Sequence, residues 1–355
     1  MSEKIPDQKF LQKLCEMSGA SGHEDDLHEL LQEKFAPVTD ECQVDNFGNF
    51  IARSCGSEDV DMRIMIAAHM DEIGLMVKKI DEEGFIRISA VGGIDPRTLP
   101  GQRVKIHGKE VLTGIIGSLP PHLLDRETRK NKAHKLKDLY IDTGMAADEL
   151  EEVISVGNVI TLDRKLEKLN GNYVSGKAFD DRAGVMMMYE CAREFQKLSH
   201  ASDIFFVATT QEELGYKGGI TSAYDLNPEI AFAIDVTHGL MPGVDKSKAV
   251  DMDGGPVISF GPHVHPDLFK LLQDTARERD ISHQIEPSSS PYGTDAAGIQ
   301  IVRSGVATAL LSIPLRYMHT SVETVKLDNI KHGAYLLARS IAEIDEEFVE
   351  ELTCY

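Results

Sequence analysis

Residues 62–71 read MRIMIAAHMD, and the fold follows from how that run pairs. Apart from Arg63, residues 62–68 carry no polar side chain. A strand with one wet face would alternate, so this one is expected to be buried on both faces, as in the middle of a parallel sheet. A histidine and an aspartate follow where the strand ends. Residues 203–219, DIFFVATTQEELGYKGG, repeat the arrangement with two adjacent glutamates and then glycines.

Outward from these two strands the pattern is regular. A helix is expected over 181–198, a short one after Gly218 and Gly219, strands over 230–236 and 306–313, and helices over 265–280 and 329–345. This is the rhythm of an open α/β sheet with helices on both faces. Two amphipathic helices, FLQKLCEMS (10–18) and HEDDLHELLQEKF (23–35), precede it, separated by the turn-like GASG. Between them and the later strands the texture changes to hairpins, LMVKKIDEEGFIRISAV (75–91), RVKIHGKEVLTGIIGS (103–118) and VGNVITLDRKL (156–166). The expectation is an α/β domain of residues 1–74 and 168–355 with a small β domain, 75–167, inserted in it. Within the insert the charged run at 125–137 reads as a mobile loop.

The length of 355 residues also favours two domains. With 37 basic and 58 acidic side chains the formal charge is -21, which argues against phosphate backbones or anionic lipid as partners and favours cations. Five scattered cysteines without a C-x-x-C pair suggest neither a disulfide framework nor a thiolate zinc site, and fit a reducing cytoplasm. No signal-type apolar core opens the chain, and no run approaches the roughly 18 apolar residues of a membrane span.

In such sheets functional groups gather at the carboxyl ends of strands. His69 and Asp71 follow the first strand, Asp180 and Asp181 follow NYVSGKAF, Glu212 and Glu213 follow DIFFVATTQ, Asp235 sits in IAFAIDV, and His319 follows ALLSIPLRYM. Nitrogen and oxygen ligands without sulfur suit zinc, cobalt or manganese. Two imidazoles and three carboxylates exceed one catalytic zinc site and suit two ions sharing a bridging carboxylate. One glutamate of the pair can then bind metal while its neighbour moves a proton, and Asp71 can hold the His69 ring in one tautomer. Singly, each piece has a blander reading. Asp180 and Asp181 suit a helix N-cap and first turn, the glutamates a solvated surface, Asp235 a loop. Their coincidence at converging strand ends is what favours a site, since buried charges without partners are costly.

AAHMDEIG (67–74), GKAFDDRAG (176–184), TTQEELGYKGG (209–219), AIDVTHG (233–239), YGTDAAG (292–298) and YMHTSVETV (317–325) occur in the order and spacing of a known family. The chain resembles the tetrahedral (TET) aminopeptidases, di-metal metallopeptidases that include glutamyl aminopeptidases and deblocking enzymes. The resemblance spans essentially the whole chain. It implies Asp180 as the bridging ligand, His69 and Asp235 on one ion, Glu213 and His319 on the other, Glu212 as general base and acid, and Asp71 as the orienting acid. Family members often have Asn where Asp181 stands. The resemblance also implies a zinc-aminopeptidase-like mixed sheet, a barrel-like insert serving dimerisation, twelve subunits forming a hollow tetrahedron, and short peptides with a free amino terminus as substrates.

The segments VTHGLMPG and SSSPYGTDAAG are expected to line the pocket for the first side chain through Thr237, His238, Gly293 and Thr294. His238 and His263 are expected to stay outside the metal set, and residues 186–188, three methionines, to pack in a helix. Rival readings are a carboxypeptidase or N-acyl amino acid deacylase, for which Arg97, Arg303 or Arg316 could hold a substrate carboxylate; a metal-free glycoside hydrolase built on Glu212 or Glu213, endoglucanase-like; and a non-catalytic shell.

Overall fold

The computed structural model describes residues 6–56, 60–123, 134–289 and 293–352. Most of the run at 125–137, Tyr292 and Cys354 lie outside them. The strands β1 (Glu41–Val44), β2 (Phe50–Ser54) and β3 (Arg63–His69) come first. The next six, β4 (Gly74–Ile80), β5 (Ile86–Val91), β6 (Arg103–His107), β7 (Val111–Ser118), β8 (Leu139–Asp142) and β9 (Val159–Leu162), close into an antiparallel barrel in the order β4-β5-β8-β7-β6-β9. The chain then resumes with β10 (Glu167–Lys168), β11 (Tyr173–Gly176), β12 (Asp203–Thr209), β13 (Ile230–His238), β14 (Val257–Phe260), β15 (Gln284–Pro287), β16 (Ala307–Arg316) and β17 (Glu323–Lys326).

These last eight strands and β1 to β3 form one mixed sheet. Its centre, β12-β3-β13-β16, is parallel, and antiparallel strands extend it on both sides. The continuous apolar run of β3 is explained by what covers it. Ile64, Ile66 and Ala68 join one core with the helices Gln8–Glu16, Phe179–Phe195 and Leu327–Ile341, while Met65 and Ala67 join another with Ala223, Leu226 and Ile299. Burying such isoleucine or leucine side chains contributes about 1.5–3 kcal/mol each. The methionines at 186–188 are fully buried in the first of these cores. The barrel has a core of its own, built from residues such as Leu75, Val104, Ile141 and Ile160.

Two features differ from the sequence expectation. The short helix expected after the glycine pair begins before it, at Lys217–Leu226. A β carbon at Gly218 would strike Asn49 and Thr210, and one at Gly219 would strike the Asp295 carboxylate, so the glycines let the first turn press against its neighbours. The strands β1, β2, β10, β14, β15 and β17 also add to the sheet beyond the expected ones, each only two to five residues long. Among the described residues no helix is long and apolar enough to cross a membrane. Cys15, Cys42, Cys55 and Cys191 are free thiols.

Candidate active site

Parallel strands of equal register deliver their next residues to one edge, and that edge carries the chemistry here. Thr209 of β12 stands opposite His69 of β3, and Asp235 of β13 stands opposite Ser312 of β16. Asp180 comes from the start of the helix Phe179–Phe195, Glu212 and Glu213 from a single 3-10 turn after β12, and His319 from the turn after β16. His69 Nε2 lies 3.1 Å from one oxygen of Asp180, and His319 Nε2 lies 3.2 Å from the other. His319 Nε2 is also 3.2 Å from Glu213. The result is two groups sharing one carboxylate: His69, Asp180 and Asp235, and Asp180, Glu213 and His319, each with its potential ligand atoms within 4.8 Å of one another. Glu212 stands beside the first, 3.9 Å from His69 Nε2, with a buried oxygen, Oε1, that has no hydrogen-bond partner.

Most of these residues are held from behind, several through their backbone. The Nδ1 of His69 lies 3.2 Å from the Asp71 carbonyl and 3.4 Å from its carboxylate. That carboxylate also accepts the backbone N–H groups of Glu212, at 3.0 Å, and Glu213, at 3.2 Å. Asp71 therefore ties the end of β3 to the glutamate turn, a wider task than orienting one ring. Glu323, fully enclosed on β17, accepts the backbone N–H of Asp180 at 3.1 Å and that of His319 at 2.8 Å. His319 sits at φ 60°, a conformation uncommon outside glycine, and the Glu323 bond helps fix it there. The His319 Nδ1 meets the carbonyl of Gly93, from the loop after β5, at 2.6 Å, which turns Nε2 toward Asp180 and Glu213. A β carbon on Gly93 would press on that imidazole.

Burial governs the electrostatics. It opposes ionisation of Asp180, but hydrogen bonds to His319 and His69 outweigh it and hold the carboxyl below its ordinary range. Burial, then the charge of Asp180, pushes Asp235 well up. Glu212 is pushed up to about 10 by burial and by the charges of Asp235, Asp295 and Glu213, against the pull of His69. For His319 desolvation pulls down, yet its bonds to Asp180 and Glu213 win and raise it to about 11. So many buried carboxylates facing two imidazoles, with no lysine or arginine lining the cavity among the described residues, make a donor set short of positive charge. Bound metal would supply it, drawing the raised carboxyls and imidazoles back down.

A cavity of about 570 Å³ opens over the site. Thr237, His238, Gly293 and Thr294 all line it, as does Ser288 of the segment expected there, while Tyr216, Glu286, Pro287 and Met318 line it without a pocket signal in the sequence. His238 and His263 belong to neither ligand group. Asp181 accepts the N–H of Gly184 at 3.1 Å and is fully buried, a helix-start role. The arginines of the rival readings are engaged elsewhere: Arg97 with Asp95, Arg303 with the Tyr224 carbonyl, Arg316 with the Leu240 carbonyl. None lines the cavity.

Among known families, the M42 glutamyl aminopeptidases match residues 48–336. The chain belongs to the M42 glutamyl aminopeptidase family. This M42 chain is 36% identical over 345 residues to the lysyl aminopeptidase of Pyrococcus furiosus, covering 95% of this chain and 97% of the relative. Its structure is similar to that of a TET aminopeptidase from a marine sediment archaeon of the Thaumarchaeota, with a TM-score of 0.92, 31% identity and 98% of each chain covered. It is also similar to the TET1 peptidase of Pyrococcus horikoshii, described as assembling into a tetrahedron or a large octahedral shell, at a TM-score of 0.83 and 32% identity over 95% of this chain and 99% of the other. As in that fold family, this M42 chain combines a mixed sheet flanked by helices with a closed six-stranded barrel. Its family makes it a hydrolase of the aminopeptidase kind, and its His and carboxylate groups suit metal dependence.

Proposed function

We propose that this M42 chain removes single residues from the free amino end of short peptides, using two divalent cations, zinc, cobalt or manganese, and a glutamate base. The observation that carries the reading is the shared carboxylate: Asp180 turns one oxygen to His69 and the other to His319, so two ligand groups meet at one residue. His69, Asp180 and Asp235 would hold one ion and Asp180, Glu213 and His319 the other. Cations there would polarise the scissile carbonyl and acidify water between them.

The remaining steps fall to the chain itself. Glu212, outside both ligand groups, takes the proton of the attacking water and returns it to the departing amine. Asp71 sets the height of that carboxylate through the Glu212 and Glu213 amides. Thr237, His238, Gly293 and Thr294 would border the first side chain of the peptide. Among the described residues no lysine or arginine lines the cavity, which suits a substrate presenting an amine and leaves a carboxypeptidase or deacylase without its anchor. Peptides with a free amino terminus are therefore expected to be cleaved and their N-acetylated counterparts to resist, read by chromatography of the products. Equal cleavage of both would overturn the reading.

Glu323 offers a check on the ligand set. Exchanging it for glutamine puts an amide donor against one of two backbone N–H groups, so metal affinity is expected to fall about 10- to 100-fold, as for other outer-sphere partners. A calorimetric metal titration of Glu323→Gln reads this, and unchanged affinity would mean that the ligands need no such clamp.

The split into a catalytic unit, 1–74 and 168–355, and an insert, 75–167, is supported by the separate cores. The insert exposes Val111, Ile115, Leu119 and Leu123 on and just beyond β7, apolar surface suited to pairing two copies. With the assemblies described for the Pyrococcus horikoshii relative, this supports a homo-oligomer, dimers building a tetrahedral dodecamer. Free thiols at Cys15, Cys42, Cys55 and Cys191 suit a cytoplasmic setting.

A further inference from the structure

One carboxylate of the cavity has no part in the chemistry above. Asp180, Glu213 and Asp235 belong to the ligand groups and Glu212 to proton transfer, whereas Glu286 lines the same cavity and joins neither group. It stands on β15, which among the described residues joins the sheet through β14. The Thr237 hydroxyl donates to its carboxylate, 3.0 Å from each oxygen. Thr237 lies two residues beyond Asp235 on β13, so the acid is tied to the strand that carries a candidate ligand. Val236, Pro287, Met318 and Tyr216 line the same cavity and offer apolar surface.

This combination has a definite complement. A long side chain with a methylene stem and a cationic tip can lay the stem on the apolar wall and bring its charge to a carboxylate. An acidic side chain would meet like charge and, among the described residues, no lining lysine or arginine to offset it. We propose that the cavity selects peptides whose first residue is cationic, lysine or arginine, and that Glu286 sets this preference. The proposal rests on the aminopeptidase reading and goes further by naming the side chain preferred. Family membership leaves that choice open, so it falls to the pocket.

A structural role for Glu286 predicts something different from a selective one. If its bond to Thr237 merely fastens β15 to β13, Glu286→Gln, which still accepts from that hydroxyl, should behave as wild type. The test is a panel of lysyl, arginyl, leucyl and glutamyl p-nitroanilides with the cobalt- or zinc-supplied full chain, Glu286→Gln and Glu286→Lys. Wild type should favour lysyl and arginyl substrates. Glu286→Gln should lower kcat/KM for these two at least about tenfold, the effect of losing a close charge partner, while leucyl hydrolysis stays within about threefold. Glu286→Lys should shift the preference toward the glutamyl substrate. Calorimetric binding of lysinamide against norleucinamide gives a readout apart from turnover, and the preference for lysinamide should vanish in Glu286→Gln.

A wild type that favours leucyl or glutamyl substrates overturns the proposal and leaves the aminopeptidase reading intact. So does a Glu286→Gln protein that is unchanged, or one that loses all four substrates alike. A metal-supplied wild type that cleaves none of the four overturns the aminopeptidase reading, and this proposal with it.

Discussion

Replacing Glu212 by glutamine is expected to lower kcat by about 10²- to 10⁴-fold, the range for loss of a general base, with bound metal at the wild-type level. The side chain adjoins the ligand groups but is a member of neither. Glutamine keeps the size and one acceptor oxygen but loses the charge and the capacity to take a proton. The scaffold should survive, because Asp71 grips the turn through the backbone amides of Glu212 and Glu213, which the substitution does not touch. KM should move little, since a base that acts in the transition state contributes little to binding the ground state. Steady-state kinetics together with metal analysis of the purified variant decide the point. A variant with near-normal turnover would remove Glu212 from the reaction, whereas one that has lost metal would make it a ligand.

Much of this candidate site is legible in the chain because the groups that could hold metal adjoin the strongest strand signals. β3 and β12 are unbroken apolar runs, and the residues just past the carboxyl ends of such strands land on one edge of the sheet. The residues that escape reading are those whose meaning is set by distant partners. Gly92 and Gly93 look like an ordinary turn, yet the Gly93 carbonyl orients His319 across 226 positions of sequence. Glu323 is one acid in a polar segment until Asp180 and His319 fold over it. Glu286 lies in QIEP, which reads as an exposed edge with a terminal proline, and only pairing with β14 brings it to the cavity wall. The early start of the helix Lys217–Leu226 is hidden for the same reason, because glycine there answers a steric demand from Asn49, Thr210 and Asp295 that no local pattern contains.

Stripping the metal should abolish hydrolysis and expose a pH dependence of stability that the loaded protein lacks. In the metal-free chain Glu212 is pushed from an ordinary 4.5 up to about 10, and His319 from 6.5 up to about 11. Burial also drives Asp235 well up, and for His69 the bonds to Asp180 and Asp71 overcome desolvation and raise it. Buried Glu323, beside the charge of Asp180, is raised to about 8. For each of these groups the folded chain holds the proton over a range where the unfolded chain has released it. Stability is then greatest below the unfolded values and declines as pH climbs through the folded ones. Asp180 works the other way, because its lowered pKa adds stability that is lost only on acidification below its ordinary 3.8. Between about pH 5 and 9 the first set dominates, so the melting temperature of chelator-treated protein should fall steadily across that interval. Cations take over the task of those protons. Restoring zinc, cobalt or manganese should return activity and raise the melting temperature most at the alkaline end, each ion present at 100 times its dissociation constant adding about 2.7 kcal/mol of stability. Calorimetric melts from pH 5 to 9, with and without metal, provide the measurement. A metal-free protein whose melting point stays level or rises with pH, and which added metal leaves unmoved, would mean that this carboxylate cluster is not a cation site.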